Sequence, residues 1–190
     1  MNPMSSFFLL LPFALCLTFQ PHLIVAKQQQ QQQQSNNGTS SLIARACENS
    51  SHKDFCVSVL ESFPKNADPK GLVFTALRVA AKNATETWIH IKQYLSEKSY
   101  DPAVEQGLMD CEERYVDAVQ QIDNAVIDLS VKAYQNIDKW VKAAITDIDT
   151  CEGEVQGQAD KASEVSHNNH TLRLLLNAAL GVFHALSRNS

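Results

Sequence analysis

The chain has 190 residues, with 16 Lys and Arg against 21 Asp and Glu, and a formal net charge of −5 at pH 7. This acidic balance disfavours nucleic-acid binding, because phosphate backbones are bound by basic surfaces. The small negative charge suits a basic partner but selects none by itself.

The N-terminus predicts a secretion signal over residues 1–26. An apolar run from Phe7 to Phe19 is too short to span a bilayer, is interrupted by Pro12 and ends at the polar Gln20. Cleavage after Ala26 would remove Cys16 with the signal and leave no membrane segment. We therefore expect a secreted protein.

Residues 27–41 predict a disordered, Gln-rich linker. The run Gln28–Gln34 is followed by small polar residues, so the segment offers no apolar side chain to bury. About 150 residues remain, enough for one domain with a sizeable core, which we expect over residues 42–187. Four Asn-x-Ser/Thr sequences are candidate glycan acceptors on a secreted chain: Asn37, Asn49, Asn83 and Asn169.

Four cysteines follow the leader, at positions 47, 56, 111 and 151. An even number in an exported domain of this size is typical of disulfides, and the spacing alone allows three pairings. Apolar residues on both sides of the first two cysteines predict a small helical hairpin that turns at residues 49–52. These apolar residues are Leu42, Ile43, Phe55, Val57, Val59 and Leu60.

The rest of the chain predicts four long helices, because its apolar residues recur in steps of three and four, with one longer gap between Val79 and Trp88. Asp68 and Pro69 have the residue types of a cap and a first-turn proline for the first helix. The apolar positions are Leu72, Ala76, Val79, Trp88, Ile91 and Leu95 in the first helix; Val104, Leu108, Cys111, Tyr115, Ala118, Ile122, Ala125 and Leu129 in the second; Tyr134, Ile137, Val141, Ala144, Ile148, Cys151 and Val155 in the third; and Leu172, Leu175, Ala179, Val182 and Leu186 in the fourth.

Loops are expected at residues 99–102, at residues 130–133 and from Gly153 to about Ser166. Short loops join antiparallel neighbours, and a mean apolar spacing near 3.5 residues suits slightly supercoiled helices. The sequence therefore predicts an all-α protein, an up-down four-helix bundle with an N-terminal helical hairpin and two disulfides.

Helical phase favours one disulfide pairing. If the second and third helices turn around Val131, then Cys111 and Cys151 each lie 20 residues away from it, at the same level and on the apolar stripes. In the chain-entropy model, such a bond contributes about 4 kcal/mol. The pairing of Cys47 with Cys56 then follows by elimination.

Five segments of the chain carry a family resemblance: ACENSSHKDFC, DPKGL, NATETW, LMDCEERYVDAV and WVKAAITDIDTCEGE. Together they resemble the plant invertase and pectin methylesterase inhibitor family. The resemblance covers Leu42 to about Leu186 and implies the same bundle, with disulfides Cys47–Cys56 and Cys111–Cys151. It also implies an inhibitor rather than an enzyme, which covers the substrate cleft of a separate carbohydrate-active enzyme in the apoplast, cell wall or vacuole.

Two local motifs favour pectin methylesterase over acid invertase as the target. The turn from Asp128 to Tyr134 lacks the Pro-Lys-Phe motif of invertase-type loops, and Trp140–Thr146 resembles a Trp-x-x-Ala-Ala-x-Thr run frequent in pectin methylesterase inhibitors. The alternatives are an inhibitor of acid invertase and a secreted helical carrier of a small apolar ligand. We expect the free protein to be a monomer.

A polar stripe on the second helix is the candidate contact surface. The resemblance places Glu113 and Asp117 where these inhibitors contact the enzyme, and it matches Thr150 to the Thr beside the fourth cysteine. Gln120, the next stripe position, is neutral. The stripe also includes Asp128, and the expected enzyme contacts are Glu113, Asp117, Gln120, Asn124, Thr146 and Thr150.

Glu164 and His167 have the Glu-x-x-His spacing used in di-iron bundles, which need a second such motif and two further glutamates. We therefore expect no metal and no other cofactor, with His167 and His170 exposed to solvent. Trp88 and Trp140 are expected at the core or its edge.

Overall fold

The structure is a computed structural model, which describes residues 38–48, 50, 52–63, 68–97 and 100–188. These residues form six α-helices and no strand, which confirms the all-α class. The predicted signal, the predicted linker up to residue 37, Asn37 and Asn49 lie outside the described residues. The helices are α1 (38–46), α2 (Lys53–Glu61), α3 (Pro69–Glu97), α4 (Pro102–Ser130), α5 (Ile137–Val155) and α6 (Asp160–Ser187), with a 3-10 helix at Tyr134–Asn136.

Helices α3 to α6 form the predicted four-helix bundle. Each packs against its chain neighbour, and α6 returns to pack against α3, so the apolar stripes enclose one core. All eight predicted apolar positions of α4 are buried, as are the six predicted positions that lie within α5. Tyr134 lies in the 3-10 helix and is half-buried.

Two side-chain caps begin the first two bundle helices. Oδ1 of Asp68 accepts a hydrogen bond from the Gly71 backbone N at 2.5 Å. Oδ1 of Asp101 accepts one from the Ala103 N at 2.9 Å. Each cap precedes a proline at the first helical position, where the missing N–H costs no hydrogen bond. The predicted start of α3 is therefore confirmed.

The structure corrects three details of the predicted helices. Helix α6 begins at Asp160, because Ala162 and Val165 extend its buried stripe into the polar stretch that is predicted to be a loop. Gly153 consequently belongs to α5 rather than to the loop. Val79 of α3 is exposed, because the buried stripe there runs through small alanines such as Ala80 instead.

The N-terminal hairpin of α1 and α2 is present and packs on α6. Helix α1 begins at residue 38, four residues before the predicted domain start, because the buried Leu42 and Ile43 lie in its middle. A Cβ atom at Gly181 would overlap the carbonyl oxygen of Ala46. Glycine at that position therefore lets the hairpin backbone lie close against α6.

Both predicted disulfides are formed. Cys47 pairs with Cys56, and Cys111 pairs with Cys151, with Cα–Cα distances of 5.8 and 4.6 Å. At the other end of the α4–α5 hairpin, Lys132 has a positive φ of 64°. The Ala133 N donates to the carbonyl of Asp128 at 2.7 Å, which closes a tight turn. The turn lies where the helical phase predicts it.

Candidate functional site

The six predicted contact residues all lie on the α4–α5 hairpin. The four on α4 follow one another in steps of three or four away from the core, and the two threonines lie one turn apart on α5. All are exposed except Asn124, which is half-buried. We call this surface the α4–α5 face: Glu113, Asp117, Gln120, Asn124, Thr146 and Thr150.

An ion-pair cluster links α4 and α5 within the α4–α5 face. Arg114 of α4 lies 3.6 Å from Asp147 of α5, and it also lies 3.9 Å from both Asp117 and Glu113. The side chain of Asp147 is only 14% exposed, whereas that of Asp117 is 52% exposed. Arg114 therefore joins an exposed carboxylate on α4 to a nearly buried one on α5.

The charge balance of this cluster is negative, because Arg114 faces three carboxylates. Burial raises the pKa of Asp147, and the nearby Asp117 adds to the rise. Hydrogen bonds from Gln121 and Arg114 act in the opposite direction. The face thus presents negative charge that a basic surface could complement.

The two threonines add hydroxyl groups on the α5 side. The Thr146 hydroxyl donates to the carbonyl of Lys142 at 3.0 Å, and the Thr150 hydroxyl donates to the carbonyl of Thr146 at 2.8 Å. Since each hydroxyl proton is used within α5, the oxygen atoms remain as acceptors on the surface. The face is therefore rich in acceptors on both helices.

Asp128 is part of the predicted stripe but has a structural partner. Its Oδ2 accepts a hydrogen bond from Trp140 Nε1 at 2.8 Å, and both side chains are half-buried. This contact joins the end of α4 to the start of α5 beside the turn. Trp140 thus lies at the core edge, as predicted, and Asp128 is not a free surface carboxylate.

A buried polar network lies beside the Cys111–Cys151 disulfide. The Tyr115 hydroxyl donates to Asn169 Oδ1 at 2.8 Å, and Asn169 Nδ2 donates to Glu152 Oε2 at 2.9 Å. Ser166 donates to the other oxygen of Glu152 at 2.7 Å. Burial raises the pKa of Tyr115, so this phenol stays a neutral donor. The network joins α4, α5 and α6 through the core.

This network argues against one predicted glycan acceptor. Asn169 is 1% exposed, and its amide nitrogen donates to Glu152, so the folded chain has no room for a sugar there. Asn83 lies in the middle of α3 and is half-buried. A glycan acceptor needs a nitrogen atom that faces solvent, which Asn169 lacks.

The residues considered for metal binding have other contacts. The Tyr94 hydroxyl donates to Glu164 at 2.6 Å, which lowers the pKa of that carboxyl. His167 and His170 are exposed, as predicted, and Trp88 is half-buried. In the part of the chain that the structure describes, no three His, Cys, Asp or Glu side chains are grouped as metal ligands. Within the same ranges, no helix is long and apolar enough to cross a membrane.

An exposed charge cluster joins the start of α5 to the end of α6. Oδ2 of Asp138 lies 2.6 Å from Nζ of Lys142, and Oδ1 lies 2.6 Å from Nε2 of His184. The hydrogen bond from Lys142 is the largest cause of the lowered pKa of Asp138, and burial acts against it. A carboxylate with a lowered folded-state pKa stabilises the fold above its unfolded pKa, and this stabilisation is lost as pH falls through the folded pKa.

We expect Asp138→Asn to lower the free energy of unfolding at pH 7 by about 0.5–1 kcal/mol, because such pairs are partly exposed. Below about pH 4, the unfolded pKa of Asp, the difference between variant and parent should shrink as the parent carboxylate becomes protonated. Urea unfolding followed by circular dichroism at several pH values measures this. A stability difference that stays constant from pH 7 to acidic pH would contradict the assignment.

Comparison with known families gives a match over most of the chain. Residues 41–181 match the family described as plant invertase/pectin methylesterase inhibitor. This range contains α2 to α5, both disulfides and every residue of the α4–α5 face.

Individual relatives include inhibitors named for two target enzymes. The chain is 30% identical over 153 residues to the cell wall / vacuolar inhibitor of fructosidase 2 of Arabidopsis thaliana, covering 78% of this chain and 84% of that protein. It is 29% identical over 118 residues to a pectinesterase inhibitor of Actinidia deliciosa, covering 61% and 63%. A crystal structure of a mutant pectin methylesterase inhibitor from Arabidopsis superposes with a TM-score of 0.66 at 23% identity, covering 75% of this chain and 95% of that one. The superposition shows a shared fold.

Proposed function

Because the chain belongs to the plant invertase/pectin methylesterase inhibitor family, we propose that it inhibits a pectin methylesterase by laying the α4–α5 face over the enzyme's active-site cleft. Members of this family are inhibitors, so the chain is not an enzyme. The class of target is a plant cell-wall pectin methylesterase or invertase. The choice between these two enzymes is the step that we propose.

The α4–α5 face is the observation that carries the proposal. Its exposed carboxylates and hydroxyl oxygens lie on two helices, whose relative position is fixed by a disulfide at one end and by the Trp140–Asp128 hydrogen bond at the other. A rigid surface loses little conformational entropy on binding. Its negative charge would steer it toward a basic rim around a substrate cleft.

The shape of the α4–α5 turn favours contact by helix faces. Val131, Lys132 and Ala133 form the whole connection before the 3-10 helix, and backbone hydrogen bonds to Ile127, Asp128 and Leu129 hold it against the end of α4. A turn this short extends little beyond the helix ends. It is therefore poorly suited to reach catalytic groups at the bottom of a deep pocket, which is how an inserted loop would block invertase.

Acid invertase remains the second candidate, and one observation favours it. The relative named as a fructosidase inhibitor shares slightly more identity with this chain, over a longer alignment, than the Actinidia pectinesterase inhibitor does. The two identities differ by one percentage point, so they do not separate the two targets.

A pair of titrations tests the choice of target. We expect the secreted, disulfide-bonded protein to inhibit a plant pectin methylesterase stoichiometrically, measured as the release of protons from methylated pectin at mildly acidic and neutral pH. Sucrose hydrolysis by an acid invertase should be unaffected at the same concentrations. Inhibition of invertase alone would assign the second candidate, and binding to neither enzyme across several isoforms would overturn the proposal.

The proposal includes the setting in which the protein acts. A predicted secretion signal and a relative named as a cell wall / vacuolar inhibitor support an apoplastic protein that binds its enzyme as a separate chain. We propose that the free inhibitor is a monomer. Sedimentation of the free protein and of its mixture with the enzyme would measure both states.

A further inference from the structure

A cavity of about 210 Å³ lies at the turn end of the bundle, where α3 begins and where α4 and α6 end. Val73, Leu129, Phe183 and Leu186 form its apolar walls. Lys70, Tyr134 and Ser187 bring polar groups to the same cavity. The site therefore combines an apolar interior with a few polar groups, as small-molecule sites do.

Lys70 provides a positive charge beside this cavity. Its ammonium lies 5.1 Å from the centre of the Tyr134 ring, and a hydrogen bond with Tyr134 is the main cause of its raised pKa. The charge of Asp68 also raises the pKa of Lys70, but one carboxylate oxygen of Asp68 caps α3 at Gly71. Among the described residues, no carboxylate lies within ion-pair distance of Lys70.

Lys70 and Tyr134 are the two polar residues of this cavity that can bind an anion. The Ser187 hydroxyl donates to the carbonyl of Phe183 at 3.0 Å, so its proton is already used within α6. An ammonium and a phenol both donate hydrogen bonds, and a ligand carboxylate accepts them. The net charge of the whole chain is −5, so attraction of an anion to this cavity must come from this local cation.

We propose that this cavity binds a small monocarboxylate with an apolar body, whose carboxylate contacts Lys70 while its body lies among Leu129, Phe183 and Leu186. The size fits such a ligand, because a cavity of about 150 Å³ lined by apolar side chains already holds benzene. The remaining volume accommodates a short alkyl chain that carries the carboxylate to the Lys70 side. No residue of the α4–α5 face lines this cavity, so this inference does not rest on the proposed function.

Calorimetric titration of the disulfide-bonded protein with matched ligands tests the proposal. The probes are 3-phenylpropionate, the neutral 3-phenylpropan-1-ol, hexanoate and acetate. We expect 3-phenylpropionate to bind about threefold to fivefold more tightly than the alcohol, the effect of an exposed ion pair of up to about 1 kcal/mol. Acetate should not bind detectably, because it has no body to fill the cavity. Hexanoate compared with 3-phenylpropionate distinguishes an aliphatic from an aromatic acid as the preferred ligand, and tight binding of either supports the site.

Three variants test whether the ligand binds in this cavity and contacts Lys70. Lys70→Gln should reduce the affinity for 3-phenylpropionate to that for the alcohol and leave the alcohol unchanged. Lys92→Gln is the matched control, because Lys92 lies on the same helix in a similar contact, 4.7 Å from the Trp88 ring, and does not line the cavity. Leu186→Trp, at a half-buried lining position, should fill the cavity and abolish binding of both ligands.

Equal affinity for the acid and the alcohol would overturn the role of Lys70, as would unchanged acid binding by Lys70→Gln. Failure of every probe to bind the parent protein would overturn the site itself. Leu186→Trp must first show the parent's circular dichroism spectrum. Chemical-shift changes at Leu129 and Phe183 in the parent provide a second readout that needs no substitution.

Discussion

Replacing both Cys111 and Cys151 with alanine is expected to lower the free energy of unfolding by about 4 kcal/mol. The bond closes a loop between residues 40 positions apart, and the chain-entropy model assigns roughly this stabilisation to such a loop. Both cysteines are fully buried beside Tyr115 and Asn169, so the lost sulfurs also leave a small void next to a polar network. A loss of this size is a large share of the stability of a domain. Equilibrium unfolding in urea, followed by helical circular dichroism, measures it.

The second disulfide provides the control. Cys47 and Cys56 are only 9 positions apart, so the same model gives about 2.5 kcal/mol for their removal. We expect the Cys47→Ala, Cys56→Ala variant to lose less stability than the first pair and to retain the helical signal of the bundle, because the hairpin packs mainly on α6. If removal of the short-loop bond cost as much as removal of the long-loop bond, the loop-length explanation would be wrong.

Asp117→Arg is expected to weaken inhibition of the target enzyme at least tenfold. The substitution replaces a half-exposed carboxylate of the α4–α5 face with a cation and reverses the charge that the face offers to a basic partner. Placing like charges opposite each other across an interface costs several kcal/mol, so tenfold, about 1.4 kcal/mol, is a lower bound. The inhibition constant measured against pectin methylesterase tests this prediction, which depends on the proposed function.

Asp123→Arg is the matched control for charge and helix. Asp123 is exposed on α4 but lies on the side that faces α3, in a groove with Arg78 and Lys82. We expect this variant to inhibit as the parent does, and both variants to unfold at nearly the parent's urea concentration. Equal potency of Asp117→Arg and the parent would remove α4 from the contact surface. Equal weakening by both substitutions would show a general charge effect instead of a local contact.

The apolar periodicity predicts the bundle because burial repeats with the helical period. The stripe from Val104 to Leu129 has an apolar or cysteine residue at every inward position, and all of these positions are buried. The same phase places Cys111 and Cys151 at one level, which is why the pairing could be deduced before the structure. Asp68 and Pro69 likewise carry their capping function in their residue types.

The parts that could not be predicted depend on polar residues inside the core or on contacts between helices. Asn169 occupies an inward position of α6, so a count of apolar residues starts the helix too late and predicts Asn169 to be a surface glycan site. The Arg114–Asp147 contact depends on how α4 and α5 are rotated about their axes, which spacing within either helix does not specify. The one signal of this cluster in the sequence is the three-residue spacing of Arg114 and Asp117, which places opposite charges on one side of a helix.

The Cys111–Cys151 bond and the turn at Lys132 together make the α4–α5 hairpin a covalently closed ring. Lys132 is exposed and lies in the turn between the two helices, so a protease specific for basic residues would find a cleavage site at this loop tip. A single cut after Lys132 would separate the chain into two pieces that the disulfide still joins. Asp117 and Thr150 would remain on one molecule, and the continuity of the peptide chain at the turn would not be needed to keep the surface together.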